Sequence, residues 1–575
     1  MNVRIKQNKN GGFHVSSINK FKLADINKKN NHFSNFKVMI ETAFYGNHVT
    51  TIGSINKAYQ LAVHSPGTIV TDIPIYNPED FGISCDAKVL VENNGAIVGR
   101  TTSARRIINT NTAGDPIFSA ILREALFSAT KTPYYRSQII VGLDKKFMIK
   151  GNLMVPEGYE LLLYSYLLNF QILNEQFSSL YNQSKNYDET DIFIFSDPDW
   201  SHPDFPNGLA LFDPDHNVAA ILGLRYFGEL KKATLTLAWR IANRNGFVAC
   251  HGGIKQFKTP QDTLYTMAAF GLSGSGKSTI TLANHNNKYP IKVLHDDAFI
   301  ISQTDGSSIA LEPSYFDKTQ DYQMDSEDIK YFLTAQNVGV TRDIDNRKVL
   351  VTEDIRNGNG RTVKSHFATP NRVNHISEKI DAIFWIMKDD SLPPIIKIDD
   401  PITATVFGAT LATKRSTAEN INPDIDLNAL VIEPFANPFR VYPLKEDYFS
   451  FKDLFENQQV SCYILNTSFF NDKKISPQIT LSVIESLVDN SSSFKPFGPL
   501  SDISYLEIDN LNPNFNDKDY VLLLKKRVEN RLKFVKESTE IDKCFNSLPE
   551  EAALKLQELI NQLEKHLESR KNEPV

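Results

Sequence analysis

The stretch FGLSGSGKST, residues 270–279, constrains this chain more than any other part of its sequence. It fits the pattern G-x-x-x-x-G-K-[ST], with the motif residues Gly271, Gly276, Lys277 and Ser278. The glycines allow a tight turn in which successive backbone N–H groups point at one anion. The lysine brings a positive charge to the outer phosphates, and the serine hydroxyl is suited to ligate Mg²⁺. This phosphate loop (residues 271–278) predicts a bound nucleotide but does not name a reaction.

The segments on either side of the phosphate loop have the composition that such a motif requires. TLYTMAAF (263–270) predicts a buried strand, and STITLANHN predicts a helix. The next segment, YPIKVLHDD, predicts a second strand that ends in His295, Asp296 and Asp297. An acid at the end of a strand beside a phosphate loop commonly holds the metal ion that accompanies the nucleotide. The two aspartates are therefore candidate metal ligands, with a solvated strand end as the alternative.

Length and composition limit the class of protein. The chain has 575 residues, more than one ordinary core accommodates, so at least two domains are expected. A net charge of −6 argues against a general nucleic-acid or membrane-surface binder, which would be basic. The four cysteines lack C-x-x-C spacing, so neither a zinc site nor a disulfide framework is expected. The polar beginning and the lack of a long apolar run predict a cytoplasmic protein without a membrane span.

Apolar strands alternate with helical segments along most of the chain. This pattern predicts an α/β fold of two mixed α/β domains, and we expect an active-site cleft between the two domains. Further predicted strands lie within 87–100, 191–200, 382–388 and 461–467. We expect an N-terminal substrate-binding domain over 1–255 and a C-terminal domain with the phosphate loop over 256–500. A helical C-terminal extension is expected over 501–575.

Two segments predict helices with different surroundings. GYELLLYSYLLNFQIL (158–173) is apolar on all sides, which indicates a buried helix. The tail EEAALKLQELINQLEKHLESRKNEPV has apolar residues at helical spacing, namely Leu554, Leu556, Leu559, Ile560 and Leu563. Because the tail spans too few heptads for a stable coiled coil, we expect it to dock on the body of the protein.

Three motifs occur together in this chain: the phosphate loop GLSGSGKS, the upstream segment RYFGELKK (225–232) and the pair Asp296–Asp297. In this combination the sequence resembles the ATP-dependent phosphoenolpyruvate carboxykinase family. The family's loop reads GLSGTGKT, with a serine before the second glycine, as at Ser273. Its segment RYAGEMKK is similar to RYFGELKK, and a family histidine that follows the second lysine matches His251 in its spacing.

Other segments extend the resemblance from about residue 90 to about residue 490. VGRTTSAR is similar to the family's T-G-R-S-P-K-D-K and puts Arg100 where an arginine holds the substrate carboxylate. TEDIR is similar to T-E-N-T-R, which makes Arg356 the arginine that bridges substrate and γ-phosphate. NGR, ending at Arg361, is a competing alignment for the same role. LEPSYFDK matches a family segment whose lysine, here Lys318, touches phosphate.

The main departures from the family cluster around the residues expected to contact the nucleotide and its phosphates. NTSFFNDKKISPQIT is similar to N-T-G-W…K-R-I…T and would place Lys474 and Thr480 near the adenine. Lys474 replaces an arginine, which stacks better on a base. Pro313 and Ser314 replace two glycines of E-G-G-C-Y-A-K, and H-D-D-A-F replaces G-D-D-E-H. Two alternatives therefore stay open: a P-loop kinase with another acceptor or another phosphate donor such as pyrophosphate, and a non-catalytic nucleotide-binding regulator.

The resemblance implies the reaction of oxaloacetate with ATP to phosphoenolpyruvate, CO₂ and ADP. It implies Mn²⁺ bound by Lys232, His251 and Asp297, and Mg²⁺ between the phosphates and Ser278. A lysine can bind a metal ion only as the neutral amine, and the adjacent positive charge of Lys231 favours that form.

Substrate contacts are expected from Arg100, Tyr226 and Lys231. Catalytic roles are expected for Lys232, His251, Ser273, Lys277, Arg356 and Arg361. The nucleotide is expected to contact Gly271, Leu272, Ser273, Gly274, Ser275, Gly276, Lys277, Ser278, Thr279, Lys318, Lys474 and Thr480. The metal ligands are expected among Lys232, His251, Asp297, Ser278 and Asp296. The expected partners are small-molecule substrates, with no nucleic acid or membrane, in a monomer or small homo-oligomer.

Overall fold

A computed structural model of the chain describes residues 5–7, 13–15, 21–93, 104–108, 115–172, 175–272, 274–353, 359–414, 430–541 and 545–571. The chain divides into two compact units. The main parts of the first unit are Met1–Asn245 and Ala310–Pro370, and those of the second are Gly246–Ile309, Asn371–Ser416 and Pro423–Val575. Each unit combines helices with sheets, which confirms the predicted α/β class.

The α-helices of the described residues are α1 Asn35–Ala43, α2 Ile55–His64, α3 Asp115–Ala129, α4 Glu160–Asn169, α5 Glu175–Gln183, α6 Phe227–Arg244, α7 Lys277–Leu282, α8 Pro401–Ala409, α9 Leu444–Glu456, α10 Pro477–Val488, α11 Lys518–Ile541 and α12 Glu550–Lys571. Several begin at a residue whose side chain accepts a backbone N–H of the first turn. These N-cap residues are Ser34, Ser54, Asp400 and Ser476. Such caps satisfy N–H groups that the helix itself cannot pair.

The strands in the N-terminal half are β1 Ile5–Gln7, β2 Phe13–Val15, β3 Val49–Thr51, β4 Thr68–Pro74, β5 Lys88–Glu92, β6 Arg105–Ile107, β7 Tyr134–Asp144, β8 Phe147–Pro156, β9 Gln171–Ile172, β10 Ile192–Asp197, β11 Leu209–Asp213, β12 Val218–Leu222, β13 Phe247–His251, β14 Gly253–Lys258, β15 Leu264–Phe270 and β16 Ile291–His295. Those that follow are β17 Ala298–Ser302, β18 Ser308–Ala310, β19 Tyr315–Lys318, β20 Phe332–Gln336, β21 Gly339–Arg342, β22 Lys348–Val351, β23 Arg361–Lys364, β24 His375–Ile376, β25 Ala382–Met387, β26 Ile395–Ile398, β27 Ala412–Lys414, β28 Leu430–Ile432, β29 Ser461–Asn466, β30 Phe469–Phe470, β31 Lys473–Lys474, β32 Phe494–Phe497 and β33 Leu500–Leu506.

The first unit is built on two sheets. An eight-stranded sheet has the order β3-β7-β8-β10-β12-β11-β6, with β9 paired to β7, and a five-stranded sheet has the order β19-β23-β20-β5-β4. The second sheet joins strands from the beginning of the chain to strands from 310–370, so that this segment belongs to the first unit. The predicted domains 1–255, 256–500 and 501–575 are consecutive segments. They therefore do not include the return of residues 310–370 to the first unit.

The second unit is built around an eight-stranded sheet with the order β16-β14-β15-β25-β29-β26-β33-β32. Strand β15, which leads into the phosphate loop, lies parallel to β25, and β25 lies parallel to β29. All six residues of β25 are buried, as expected for a strand covered on both faces. A second sheet has the order β13-β17-β18-β24.

The tail is part of the second unit. Helix α12 packs on α11, α8 and β33, and it buries Leu556, Leu559, Ile560 and Leu563. The predicted docking on the body is therefore confirmed. Leu554 differs from the prediction, because it is 62% exposed. It precedes Leu556 by two positions, which places it on the opposite side of a helix from the buried residues.

The other predicted elements agree with the structure where it describes them. Helix α4 is buried over its whole length, although it ends at Asn169 because the chain becomes extended in β9. The predicted strand within 87–100 begins as β5, and residues 94–100 lie outside the described residues. Among the described residues, no helix has both the length and the apolar character needed to cross a membrane.

Candidate active site

The phosphate loop connects the buried strand β15 to helix α7, as the sequence predicts. Gly276 has a φ of 95° immediately before the helix, a conformation that favours glycine. A Cβ at Gly271 would collide with Ser275 Oγ and lie 3.0 Å from Cβ of Ile386 on β25, so the backbone passes too close for a larger residue. Lys277 is buried at the start of α7, while Ser278 is exposed.

The C-terminal end of α7 is held by a buried lysine that was not predicted from the sequence. Lys255 on β14 donates from Nζ to the carbonyl oxygens of Ile280 at 2.7 Å and Ala283 at 2.6 Å. Its Nζ also lies 3.3 Å from Nε2 of His285, whose Nδ1 pairs with Glu485 at 2.9 Å. Burial lowers the pKa of Lys255 to about 7. Lys255 therefore anchors the helix that follows the phosphate loop. Its position within the strand segment GGIKQFK is the only feature of the sequence that points to this role.

His251 and Asp297 lie together in the second unit. His251 ends β13, whose partner β17 begins just after Asp297. Nε2 of His251 is 3.0 Å from Oδ1 of Asp297, and the Gly252 N–H donates to the Asp297 carbonyl at 3.0 Å. Because a carbonyl oxygen can only accept, Nδ1 of His251 donates to the Ala436 carbonyl at 2.6 Å. This bond orients the ring so that Nε2 faces the carboxylate.

His295, which stands in place of the glycine in the family's G-D-D, has a structural role. Its Nδ1 accepts the backbone N–H groups of Asp297 at 3.0 Å and Ala298 at 3.3 Å. His295 is completely buried, so these bonds fix the turn on which Asp296 and Asp297 stand. Asp296 is also buried, whereas the side chain of Asp297 is partly exposed.

The described residues contain no group of three or more His, Cys, Asp or Glu side chains placed to hold a metal ion. The set expected to bind Mn²⁺, namely Lys232, His251 and Asp297, has only two members of these types, because its third member is a lysine. Lys232 lies on α6 in the first unit, with its Nζ 5.7 Å from the centre of the Trp239 ring. Its convergence with His251 and Asp297 stays a prediction.

Lys231, the neighbour of Lys232, is part of a buried ion pair. Its Nζ lies 2.8 Å from Oε1 of Glu312, and both side chains are fully buried. Oε2 of Glu312 accepts from Asn169 at 2.6 Å. Glu312 was not predicted, although it belongs to the quoted segment LEPSYFDK. A substrate contact by Lys231 stays a prediction.

A polar row crosses the five-stranded sheet of the first unit. In the strand register, Lys318 lies directly opposite Arg361, and Arg361 lies directly opposite Gln336 on its other side. Gln336 in turn lies directly opposite Glu92 on the next strand. Directly opposed residues share one face of a sheet, so these four side chains belong to the same face. Gln336 Nε2 donates to Glu92 Oε2 at 3.2 Å. Burial lowers the pKa of Lys318, and Arg361 beside it lowers that pKa further.

Tyr226 is held beside this row. Gln336 accepts the N–H of Phe227 at 2.9 Å through Oε1 and donates to the Arg225 carbonyl at 2.9 Å through Nε2. Burial raises the pKa of Tyr226, while Arg361, which hydrogen-bonds to its hydroxyl, acts in the opposite direction. The structure thus brings together the predicted residues Tyr226, Arg361 and Lys318. Gln336 and Glu92 were missed.

The residues expected near the adenine differ in exposure. Lys474 is exposed on the hairpin of β30 and β31, where it faces Phe469, an aromatic residue that is 46% exposed. Thr480 is buried in α10, and its Oγ1 donates to the Ser476 carbonyl at 3.4 Å. The remaining predicted residues Arg100, Ser273 and Arg356 lie outside the described residues.

Comparison with known proteins identifies the family. The model of the family described as phosphoenolpyruvate carboxykinase, in its ATP-dependent form, matches residues 78–497. The chain belongs to the ATP-dependent phosphoenolpyruvate carboxykinase family. This confirms both the predicted family and the prediction of an enzyme of this ATP-using type.

Similar proteins carry the family's name. Phosphoenolpyruvate carboxykinase (ATP) of Aeropyrum pernix is 24% identical over 70% of this chain and 79% of its own length. The protein of the same name from Dictyostelium discoideum is 25% identical over 46% of this chain and 49% of its own length. A carboxykinase of Trypanosoma brucei brucei, 26% identical over 33% of this chain and 42% of its own length, is named glycosomal. A cytoplasmic location for the present chain stays a prediction.

Proposed function

We propose that the chain catalyses the metal-dependent decarboxylation and phosphorylation of oxaloacetate by ATP, which yields phosphoenolpyruvate, CO₂ and ADP. Family membership supports the reaction type. The observation that carries the proposal within this chain is the oriented pair of His251 and Asp297, 3.0 Å apart. A regulator that only binds nucleotide has no need of such a pair in its phosphate-binding unit.

The donors of this pair fit a divalent cation. Metal-binding histidines usually donate their other ring N–H to a carbonyl or carboxylate, and His251 Nδ1 donates to Ala436 in this way. His251 Nε2 and Asp297 Oδ1 would then hold Mn²⁺ together with Lys232. Such an ion supplies positive charge that stabilises the enolate formed when CO₂ leaves oxaloacetate.

The phosphate loop is proposed to hold the nucleotide. Its backbone amides would surround the phosphates, and Lys277 would bring a positive charge to them. The exposed hydroxyl of Ser278 is placed at the start of α7, where it could ligate Mg²⁺. Phosphoryl transfer then depends mainly on positioning and on neutralising charge.

We propose Arg361, rather than Arg356, as the arginine that bridges substrate and γ-phosphate. The support is its place in the polar row, directly opposite Lys318 and hydrogen-bonded to Tyr226. A guanidinium donates two parallel hydrogen bonds to a carboxylate or phosphate, and an adjacent lysine adds charge. Arg100 is proposed to hold the substrate carboxylate.

A second candidate function concerns the phosphate donor. The lysine at position 474 is exposed and lacks the stacking surface of a guanidinium, which favours a second candidate, a related enzyme with another donor such as pyrophosphate.

One assay tests both candidates: formation of oxaloacetate from phosphoenolpyruvate and CO₂ with Mn²⁺, using ADP, GDP or inorganic phosphate as acceptor. Turnover with ADP supports the first candidate, and turnover only with inorganic phosphate supports the second. The folded protein's failure to react with any acceptor would contradict both.

A further inference from the structure

Helix α11 carries an arginine into the core of the second unit. Arg531 is 2% exposed and lies beyond residue 497, where the match to the family ends. Its Nη1 donates to the Thr410 carbonyl, and its Nη2 donates to Oδ2 of Asp389 at 3.1 Å. A buried charge requires a partner, because an uncompensated one is costly. The arginine therefore ties α11 to one defined place, the turn after strand β25.

Asp389 closes that turn. Its Oδ1 accepts from the N–H of Ser391 at 3.1 Å and from the Ser391 hydroxyl at 2.7 Å. Nη2 of Arg531 also lies 3.4 Å from Sδ of Met387, the last residue of β25. The guanidinium thus holds the end of the strand as well as the first turn beyond it.

The same turn is bound by the end of the neighbouring strand β29. Nδ2 of Asn466 donates to the Asp389 carbonyl at 2.9 Å, and the N–H of Thr467 donates to the Met387 carbonyl at 3.1 Å. Oγ1 of Thr467 donates to the carbonyl of Ser275 at 2.7 Å. Ser275 belongs to the phosphate loop, so hydrogen bonds connect α11 to that loop in a continuous series.

We propose that Arg531 is a positioning residue for the phosphate loop. By holding the turn at Asp389, it fixes Thr467, and Thr467 fixes the peptide that follows Ser275. A loop that binds phosphate through backbone N–H groups depends on peptides that are already oriented before the ligand arrives. The inference rests on the proposed function, because it takes ATP as the ligand of this loop.

A conservative variant separates this role from simple packing. Arg531→Lys keeps the charge but loses the planar guanidinium that reaches Thr410 and Asp389 together. The matched control is Leu524→Ala, which removes only apolar packing. Leu524 lies on the same helix and, like Arg531, lines a small cavity in the second unit. Two quantities are measured: the dissociation constant for ATP with Mg²⁺, and the hydrogen exchange of the Ser275 and Gly276 amides without nucleotide.

We expect Arg531→Lys to weaken ATP binding by about fivefold or more, the low end of usual coupling between sites. We also expect faster exchange of the two loop amides, with neither effect in Leu524→Ala at a similar loss of Tm. Equal effects in the two variants, or no effect in Arg531→Lys, would overturn the inference. If the wild-type protein does not bind ATP, the proposed function fails, and the exchange measurement still decides whether Arg531 positions the loop.

A double-mutant cycle tests the series of hydrogen bonds without depending on Arg531 alone. Thr467→Val removes the hydroxyl that reaches Ser275 and keeps the shape of the side chain. If Arg531 and Thr467 act through one path, the double variant Arg531→Lys/Thr467→Val should have about the same affinity for ATP as whichever single variant binds ATP less tightly. Independent, additive losses would show that Arg531 does not act through Thr467.

Discussion

Replacement of Lys255 by methionine tests whether helix α7 is held at its C-terminal end by a buried amine. The substitution keeps most of the side-chain volume and removes the donors to the Ile280 and Ala283 carbonyls, at 2.7 and 2.6 Å. A buried carbonyl that loses its partner costs about 1–3 kcal/mol. The free energy for local opening of α7 should fall by about that amount, which corresponds to roughly 5- to 150-fold faster exchange of its amides.

The same residue predicts a dependence on pH. Because burial lowers the pKa of Lys255 from 10.5 to about 7, the unfolded chain binds a proton that the folded chain lacks between these values. The free energy of unfolding therefore rises with pH across this window, by at most about 1.4 kcal/mol per pH unit. Below the lower of these two pKa values, the folded chain bears the full cost of burying the charged amine. In Lys255→Met the free energy of unfolding should not show this rise with pH.

The assay compares native-state hydrogen exchange of α7 at neutral pH, and Tm at pH 6 and pH 9, for wild type and Lys255→Met. Lys258→Met is the matched control, since this lysine lies on the same strand but is exposed and pairs only with Asp262 among the ion pairs of the described residues. Unchanged exchange of α7 in Lys255→Met, or a Tm difference from wild type that does not vary with pH, would show that Lys255 does not anchor α7 as a buried amine.

Three further predictions concern the polar row, the buried ion pair and the tail. Arg361→Lys should raise KM for phosphoenolpyruvate by about tenfold, because a lysine cannot form the two parallel hydrogen bonds; an unchanged KM in steady-state kinetics would contradict this role. Lys231→Met removes the cation that lies 2.8 Å from the buried Glu312 carboxylate and should cost about 3–5 kcal/mol, seen as a large loss of Tm; a Tm equal to that of wild type would contradict this expectation. Leu556→Ala should cost about 2–5 kcal/mol by denaturant unfolding of the full chain, whereas Leu554→Ala, at an exposed position, should stay within about 0.5 kcal/mol of wild type. Equal effects of these two leucine variants would contradict the docking of α12.

Features with a strong local pattern could be predicted from the sequence. The strand, loop and helix around the phosphate loop follow from residues 263–282, since the glycine spacing and the apolar run are both local. The same holds for the fully apolar strand β25 and for the amphipathic helix α12. Leu554 was wrongly included among the buried residues, although its spacing of two positions from Leu556 already places it on the opposite side of the helix.

Features that depend on pairing between distant segments could not be predicted. Gln336 and Glu92 are 244 positions apart and meet only through the register of β20 with β5. For the same reason the return of residues 310–370 to the first unit was missed. His295 was treated only as a departure from the family, because its bonds to the following backbone depend on the turn that it shapes.

The affinity of the protein for Mn²⁺ shows whether His251 and Asp297 hold the metal ion. The dissociation constant would be measured by electron paramagnetic resonance of free Mn²⁺ for wild type, His251→Gln and Asp297→Asn. His216→Gln is the matched control, since His216 forms a similar histidine–carboxylate pair with Asp213 at 2.7 Å in the first unit. We expect both site variants to bind Mn²⁺ at least about 100-fold more weakly, and the control to bind like wild type. Wild-type affinity in His251→Gln and Asp297→Asn would show that these two residues do not hold the metal ion.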